Sequence, residues 1–205
     1  MAKIFSVVSR AGFARAFEPI ARVLLRAGVS ANAVTVVGSA VIVAAAVGLA
    51  TRGWLITATI VITLVALTDM LDGAIARASG GTSRFGALLD STMDRISDGA
   101  VFGALAYWLA TVGDRWSLAA ALVCLVTGQV ISYVRARAEG LGFTANVGIA
   151  ERAERLIIVG LGALAYGLGF HAVLDVALWV LAVLSVITIG QRIVHVWRQA
   201  REAGQ

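Results

Sequence analysis

Cysteine, proline and charge are all scarce in this sequence, and each scarcity narrows what the chain can be. One cysteine among 205 residues, Cys124, excludes an internal disulfide. It lies within an apolar stretch and reads as a packing residue. No Cys/His cluster of the kind that holds zinc is present. Charged residues make up 14% of the chain and hydrophobic ones 60%. A soluble domain carries about a quarter charged and roughly half apolar residues. With one proline, the long stretches of Ala, Val, Leu and Gly run almost uninterrupted. Alternating β-barrel patterning is missing, so helices are the spanning element.

What is present is a set of long apolar runs. A membrane helix needs about 20 mostly apolar residues to cross a hydrocarbon core of roughly 30 Å. Six runs meet or approach that length, at about 32–51, 54–78, 85–112, 117–138, 153–170 and 173–197. The fold class that follows is all-α: a polytopic membrane protein with six transmembrane helices over 29–205.

Residues 1–28 read differently. Arg15, Glu18, Arg22 and Arg26 share one helical face, and Phe13, Phe17, Ile20, Val23 and Leu24 supply another, with Gly28 as terminator. This is the pattern of an interfacial amphipathic helix held by membrane lipids. A secretory signal fits less well, because no short apolar core with a small-residue cleavage site precedes the first long run.

The net charge is +5, and its placement orients the spans. Lys3, Arg10, Arg15, Arg22 and Arg26 precede the first run, Arg77 and Arg84 flank the second connection, and Arg135, Arg137, Arg152 and Arg155 surround the fourth. Arg192, Arg198 and Arg201 close the chain, whereas the opposite side receives Arg52, Arg115 and His171. The positive-inside rule puts both termini in the cytosol. Basic residues at membrane boundaries, and not on one soluble face, give no sign of nucleic-acid binding.

Four carboxylates stand in or beside segments that should be apolar: Asp69, Asp72, Asp90 and Asp94. A charge at bilayer depth costs about 3 kcal/mol or more. Spacings of three and four put each pair on one helical face. The turn at Gly80-Gly81 makes the two helices antiparallel neighbours, with both pairs near one cytosolic level. Carboxylates brought that close stay ionised only with cations. Hard oxygen ligands suit Mg²⁺ or Mn²⁺. Salt bridges to Arg77, Arg84 and Arg95 account for one or two aspartates, not for all four. Asp98, a further i+4 step along, reads as a residue that pairs with a cation or supports the ligands from behind, and not as a metal ligand.

The run from Asp69 to Asp94 resembles the signature of the CDP-alcohol phosphotransferases, D-x2-D-G-x2-A-R-x8-G-x3-D-x3-D. Every fixed position is present, as Asp69, Asp72, Gly73, Ala76, Arg77, Gly86, Asp90 and Asp94. Upstream, Ala31-Asn32-x-x-Thr35 departs from the Pro-Asn-x-x-Thr of many members.

The resemblance implies a CDP-linked lipid donor, CDP-diacylglycerol, its pyrophosphate held by two divalent ions. Asp69, Asp72 and Asp90 would be the main ligands, with Asp94 also near a metal and acting as the base for the acceptor hydroxyl. Gly73 and Ala76 would let the nucleotide approach, Arg77 and Thr82 would reach phosphate or base, and Gly86 would give clearance on the partner helix. Tight helix packing is the other reading of the two glycines. A homodimer is implied too, and Gly99-x-x-x-Gly103 offers a small-residue face for it.

For the acceptor, the cluster of Ser132, Arg135, Arg137, Arg152, Arg155 and Arg192 is similar to that of prokaryotic members that make phosphatidylinositol phosphate from inositol phosphate. Arginine suits phosphate, because its planar fork bonds two oxygens at once; membrane anchoring is the competing reading for each. The implied location is the cytoplasmic membrane of a prokaryote. A member making phosphatidylglycerol phosphate is the nearest alternative, and a small intramembrane ion or phosphate transporter the alternative from another class.

Overall fold

The computed structural model of the protein describes residues 28–78 and 83–204, the stretch 68–78 by its backbone only. Among the described residues there are six α-helices and no strand. They are α1 (Ala31–Gly48), α2 (Leu55–Ala78), α3 (Arg84–Thr111), α4 (Arg115–Gly140), α5 (Arg152–Gly167) and α6 (His171–Glu202), with a short 3₁₀ turn at Ala50–Arg52. The interfacial helix expected over 1–28 lies outside the described residues, apart from its terminator Gly28, which has φ +78°.

The helix starts are set by side chains that satisfy the first backbone N–H groups. Ser30 Oγ accepts from Ala33 N at 3.2 Å ahead of α1. Ser83 Oγ accepts from Gly86 N at 2.9 Å ahead of α3. Asp114 accepts from Trp116 N and Ser117 N at 3.2 and 3.0 Å ahead of α4. α6 runs past the apolar limit near residue 197 because Arg198 to Glu202 are adequate helix formers in water.

Three segments are long and apolar enough to cross a membrane: Ala31–Arg52, Arg115–Gly140 and His171–Glu202, with Leu55–Leu67 a shorter apolar piece. α3 carries the charges of the aspartate motif, and α5 has only 16 residues.

The described chain divides into two compact units, one of 28–45 and 60–97, the other of 46–59 and 98–204. In the first, Ile42 and Ala45 are buried, and Thr35 Oγ1 donates to Ala31 O at 3.2 Å. In the second, the core lies between α4, α5 and α6. α4 contributes Ala120, Ala121, Cys124 and Ile131, α5 contributes Val159 and Ala163, and α6 contributes Leu174, Leu178, Leu181 and Ala182. Small residues allow close approach: a Cβ on Gly162 would stand 3.0 Å from Ala177 Cβ and 3.3 Å from Leu174 Cα. The other side of α6 is equally apolar, with Val173, Val176, Val180 and Val183 exposed. A helix hydrophobic all round has hydrocarbon for its solvent.

At one end of this second unit the turns are short and the rings meet. Trp108 and Tyr166 pack edge to face at 4.9 Å, and Tyr166 stacks on His171 at 4.3 Å. Trp116 and Trp179 lie 5.4 Å apart, and Trp54, Trp116 and Phe170 are exposed. Aromatic rings gathered at helix ends are characteristic of a membrane–water interface.

Candidate active site

The last turns of α2 carry Asp69, Asp72, Gly73, Ala76 and Arg77, which helical periodicity places along one side, with i to i+8 spacing. Their side chains, and all of Thr82, lie outside the described residues. On α3, Gly86, Asp90 and Asp94 follow at steps of four, so they too share a face. Asp90 is exposed and Asp94 half-buried, with the Arg95 guanidinium 3.9 Å from the Asp94 carboxylate. A Cβ on Gly86 would stand 3.1 Å from Asn32 Oδ1 and from Ser83 Oγ. The missing side chain at Gly86 thus makes room for the start of α1, within the same unit. That is the packing role weighed for it in the sequence, and it gives Asn32 a place despite the lost proline.

The predicted acceptor residues fall into two groups. Arg135 and Arg137 are exposed on the last turns of α4, Arg135 pairing with Glu139 at 2.9 Å. That is the surface arrangement of a solvated i,i+4 pair, worth a few tenths of a kcal/mol, about 0.3–0.5. Ser132, Arg152, Arg155 and Arg192 turn inward. Ser132 Oγ donates to Gly128 O at 3.3 Å.

Arg155 and Arg192 are 1% and 3% exposed. Such burial is costly for guanidinium groups unless their protons find partners. Arg192 donates from Nε to Val147 O at 2.9 Å and from NH1 to Ile131 O at 2.7 Å. Carbonyls satisfy its N–H groups but bring no opposing charge. Arg155 donates from NH2 to Asp98 Oδ2 at 2.6 Å, and Arg152 from Nε to Asp98 Oδ1 at 3.2 Å. Asp98, itself 3% exposed, is therefore the pairing residue its spacing suggested. The Nε–H of Arg155 is buried without a partner among the described residues.

The connection from α4 to α5 is stitched to one face of α6, a feature not foreseen from the sequence. Thr188 Oγ1 accepts from Ile149 N at 3.2 Å and Ala150 N at 3.0 Å, and donates to Leu184 O at 2.8 Å. Gln199 brackets Thr144, its Oε1 accepting from Thr144 N at 3.0 Å and its Nε2 donating to Thr144 O at 2.7 Å. Thr188, Arg192 and Gln199 recur at helical spacing and form a rack for the loop. Gly148, at φ +139°, packs directly on Thr188, where a side chain would be strained and would have no room.

A signal for the buried arginines was there to be read. Arg192 continues the inward stripe of Leu174, Leu178, Leu181, Ser185 and Thr188, and Arg155 leads that of Val159, Gly162 and Ala163. Asp98 is likewise in step with buried Phe102, Leu105 and Leu109. A charge in phase with a core stripe is one the fold has enclosed.

Comparison with known proteins gives a consistent picture. The profile of the CDP-alcohol phosphatidyltransferase family matches residues 28–197. The chain is 53% identical over 194 residues to the phosphatidylinositol phosphate synthase of Mycobacterium marinum, an overlap of 93% of this chain and 83% of that one. It is 46% identical over 203 residues to the protein of that name from Streptomyces avermitilis, covering 95% and 83%. The crystal structure of Mycobacterium tuberculosis phosphatidylinositol phosphate synthase with CDP-DAG bound is similar at a TM-score of 0.86 and 50% identity, covering 89% of this chain and 94% of that one. The same protein in complex with manganese and citrate matches at a TM-score of 0.85 and 50% identity, covering 88% of each. A transporter reading of the intramembrane aspartates falls with these matches. With every fixed position of the aspartate signature in place and the family profile spanning most of its length, the chain belongs to the CDP-alcohol phosphatidyltransferase family.

Proposed function

We propose that this chain transfers the phosphatidyl group of CDP-diacylglycerol to inositol phosphate, forming phosphatidylinositol phosphate and CMP. The observation that carries the acceptor is the pair of buried guanidiniums, Arg155 and Arg192. Their enclosure argues against membrane anchoring, which needs basic groups at the surface. A phosphate would give the bare Nε–H of Arg155 an acceptor and oppose its charge. The names of the relatives support the same acceptor.

The donor belongs to the aspartate motif. Asp69, Asp72, Asp90 and Asp94 form an all-carboxylate donor set, and the exposure of Asp90 leaves its oxygens reachable for a hard ion. Two ions, Mg²⁺ or Mn²⁺, when bound neutralise the pyrophosphate and the leaving phosphate. Arg77 and Thr82 reach the phosphates or base, and Gly73 and Ala76 give the nucleotide clearance. Asp94 accepts the proton of the acceptor hydroxyl. The oxygen so freed bonds to the phosphorus that bears diacylglycerol, and the bond from that phosphorus to the bridging oxygen breaks, releasing CMP. Ser132, Arg152, Arg155 and Arg192 hold the acceptor phosphate, with Arg135 and Arg137 at its approach.

The same reading makes α1–α6 six spans of a prokaryotic cytoplasmic membrane. The site faces the cytosol, 1–28 lie at the interface, and two copies associate through α3. For the last of these, an added Cβ at Gly103 has no atom within 4 Å and so leaves room for a second copy, whereas one at Gly99 would stand 3.8 Å from Gln129 of the same chain.

The test offers CDP-diacylglycerol with inositol phosphate, free inositol, glycerol phosphate or serine, and identifies the lipid formed. Phosphatidylinositol phosphate and CMP are expected with Mg²⁺ or Mn²⁺ and neither in EDTA. Asp94→Asn should slow transfer at least the roughly 10²-fold typical of a lost general base, with donor binding weakened only modestly. Product from glycerol phosphate and none from inositol phosphate would move the function to the phosphatidylglycerol phosphate reading. Turnover that survives EDTA would end the metal assignment.

A further inference from the structure

Asp98 has no place in the aspartate signature, yet it is more deeply enclosed than Asp90 or Asp94. Its carboxylate reaches two arginines one turn apart on α5, Arg155 from Oδ2 at 2.6 Å and Arg152 from Oδ1 at 3.2 Å. On its other side the Arg155 guanidinium lies against Gly128 of α4. A Cβ there would stand 3.4 Å from Nε, 3.5 Å from Cζ and 3.6 Å from NH2. The guanidinium thus has a carboxylate at one terminal nitrogen and a bare stretch of helix backbone within van der Waals reach. One terminal nitrogen is committed to Asp98, and Nε–H is left without a partner among the described residues.

Two features of this arrangement go beyond structural support. A long arginine side chain ordinarily loses much rotamer freedom when it closes on a phosphate, and here that freedom is already gone. Charge is the second. Asp98, together with Glu151, which acts on Arg192, offsets part of the positive charge that Arg152, Arg155 and Arg192 gather in one unit, and the two leave an excess that an anion can neutralise.

We infer that Asp98 is a positioning residue of the acceptor pocket: it fixes the Arg155 and Arg152 guanidiniums for the acceptor's phosphate and does not itself touch the reacting atoms. The inference rests on the arginine pocket proposed above. It predicts that Asp98 acts on acceptor binding through Arg155 and Arg152, and not on the donor.

The experiment is a double-mutant cycle read by steady-state kinetics with CDP-diacylglycerol and inositol phosphate. Asp98→Asn keeps size and one acceptor oxygen but removes the charge. It should raise the KM for inositol phosphate about tenfold, with the KM for CDP-diacylglycerol little changed. Arg155→Ala should raise the same constant by roughly ten- to a hundredfold. The double variant should fall short of the product of the two single effects, because residues acting through one another are not additive and only the Arg152 tie is then left to lose. Asp98→Glu, which keeps the charge but moves the carboxylate by one methylene, should raise the acceptor KM about two- to fivefold. This variant also serves if Asp98→Asn does not fold.

A merely structural Asp98 would give a lower Tm with unchanged substrate constants, in Asp98→Asn and Asp98→Glu alike. That outcome overturns the inference. If Arg155→Ala raises the acceptor KM and Asp98→Asn does not, the pocket stands and the positioning role falls. If Arg155→Ala has no effect on the acceptor, the pocket falls and the positioning role with it.

Discussion

The two ends of the α4–α5–α6 unit are built on opposite principles. At the aromatic end, connections are short, Trp108, Tyr166 and His171 close the surface ring on ring, and the polar contact of note is Ser117 Oγ donating to Asp175 Oδ1 at 2.6 Å. At the arginine end, three charged groups are nearly shut away from solvent, and an extended loop is tied to α6 by Thr188, Arg192 and Gln199. Ring packing yields stability at low cost. Buried charge yields little net stability even when paired, because desolvation consumes most of the Coulombic gain. A fold that keeps such charge at one end only is using it for something other than holding together.

That contrast can be broken at three places, in descending order of effect. Arg192→Ala should act most strongly. It removes the bonds to Val147 O and Ile131 O and one of the two deeply buried guanidiniums of the proposed phosphate grip. The expected result is a rise of roughly ten- to a hundredfold in the KM for inositol phosphate, as for a lost charge-assisted contact. If only yield or topology changes, with constants intact in the surviving protein, the charge serves anchoring after all.

Thr188→Val comes next. It keeps the shape but takes the acceptor from the N–H groups of Ile149 and Ala150; the buried one, at Ala150, should cost about 1–3 kcal/mol when left without a partner. A fall in Tm accompanied by a few-fold loss in acceptor affinity would tie the rack to the arginines it precedes. A fall in Tm alone would make the loop a strut.

Tyr166→Leu, at the aromatic end, should be mildest. The ring contacts are worth about 0.5–1.5 kcal/mol beyond area burial, so Tm should drop slightly with both substrate constants unchanged. A kinetic effect here comparable to that of Arg192→Ala would erase the distinction between the ends.

Much of the fold was legible from composition and periodicity. The expected runs at 54–78, 85–112 and 117–138 became α2, α3 and α4, displaced by one or two residues at their ends. Apolar length and the turn glycines set these limits, both of them local properties. The α5 run was read too long, to 170, because the sequence there stays apolar while Gly169, at φ +97°, turns the backbone. For the proposed site, the aspartate signature was legible in full as letters. The arginines were named as well but not sorted: Arg135 and Arg155 look alike as letters, and only packing against Gly128 and Asp98 separates the exposed one from the enclosed one. The rack stayed hidden because it joins a hydroxyl and an amide on α6 to backbone 38 to 55 residues earlier, which no periodicity encodes.

The tie between Thr188 and the loop has a consequence for depth. At 1.5 Å per residue, Thr188 lies about 26 Å along α6 from His171, and α5 as a whole rises only about 24 Å. Both lengths are below the roughly 30 Å of a hydrocarbon core. Irregular backbone at membrane depth survives only where protein or a water-filled cavity supplies its partners. Thr188 and Arg192 supply them to Val147, Ile149 and Ala150, serving the loop as a fixed, two-residue solvent. On the function proposed above, the groups that receive a phosphorylated acceptor include one, Arg192, that already stands in for water.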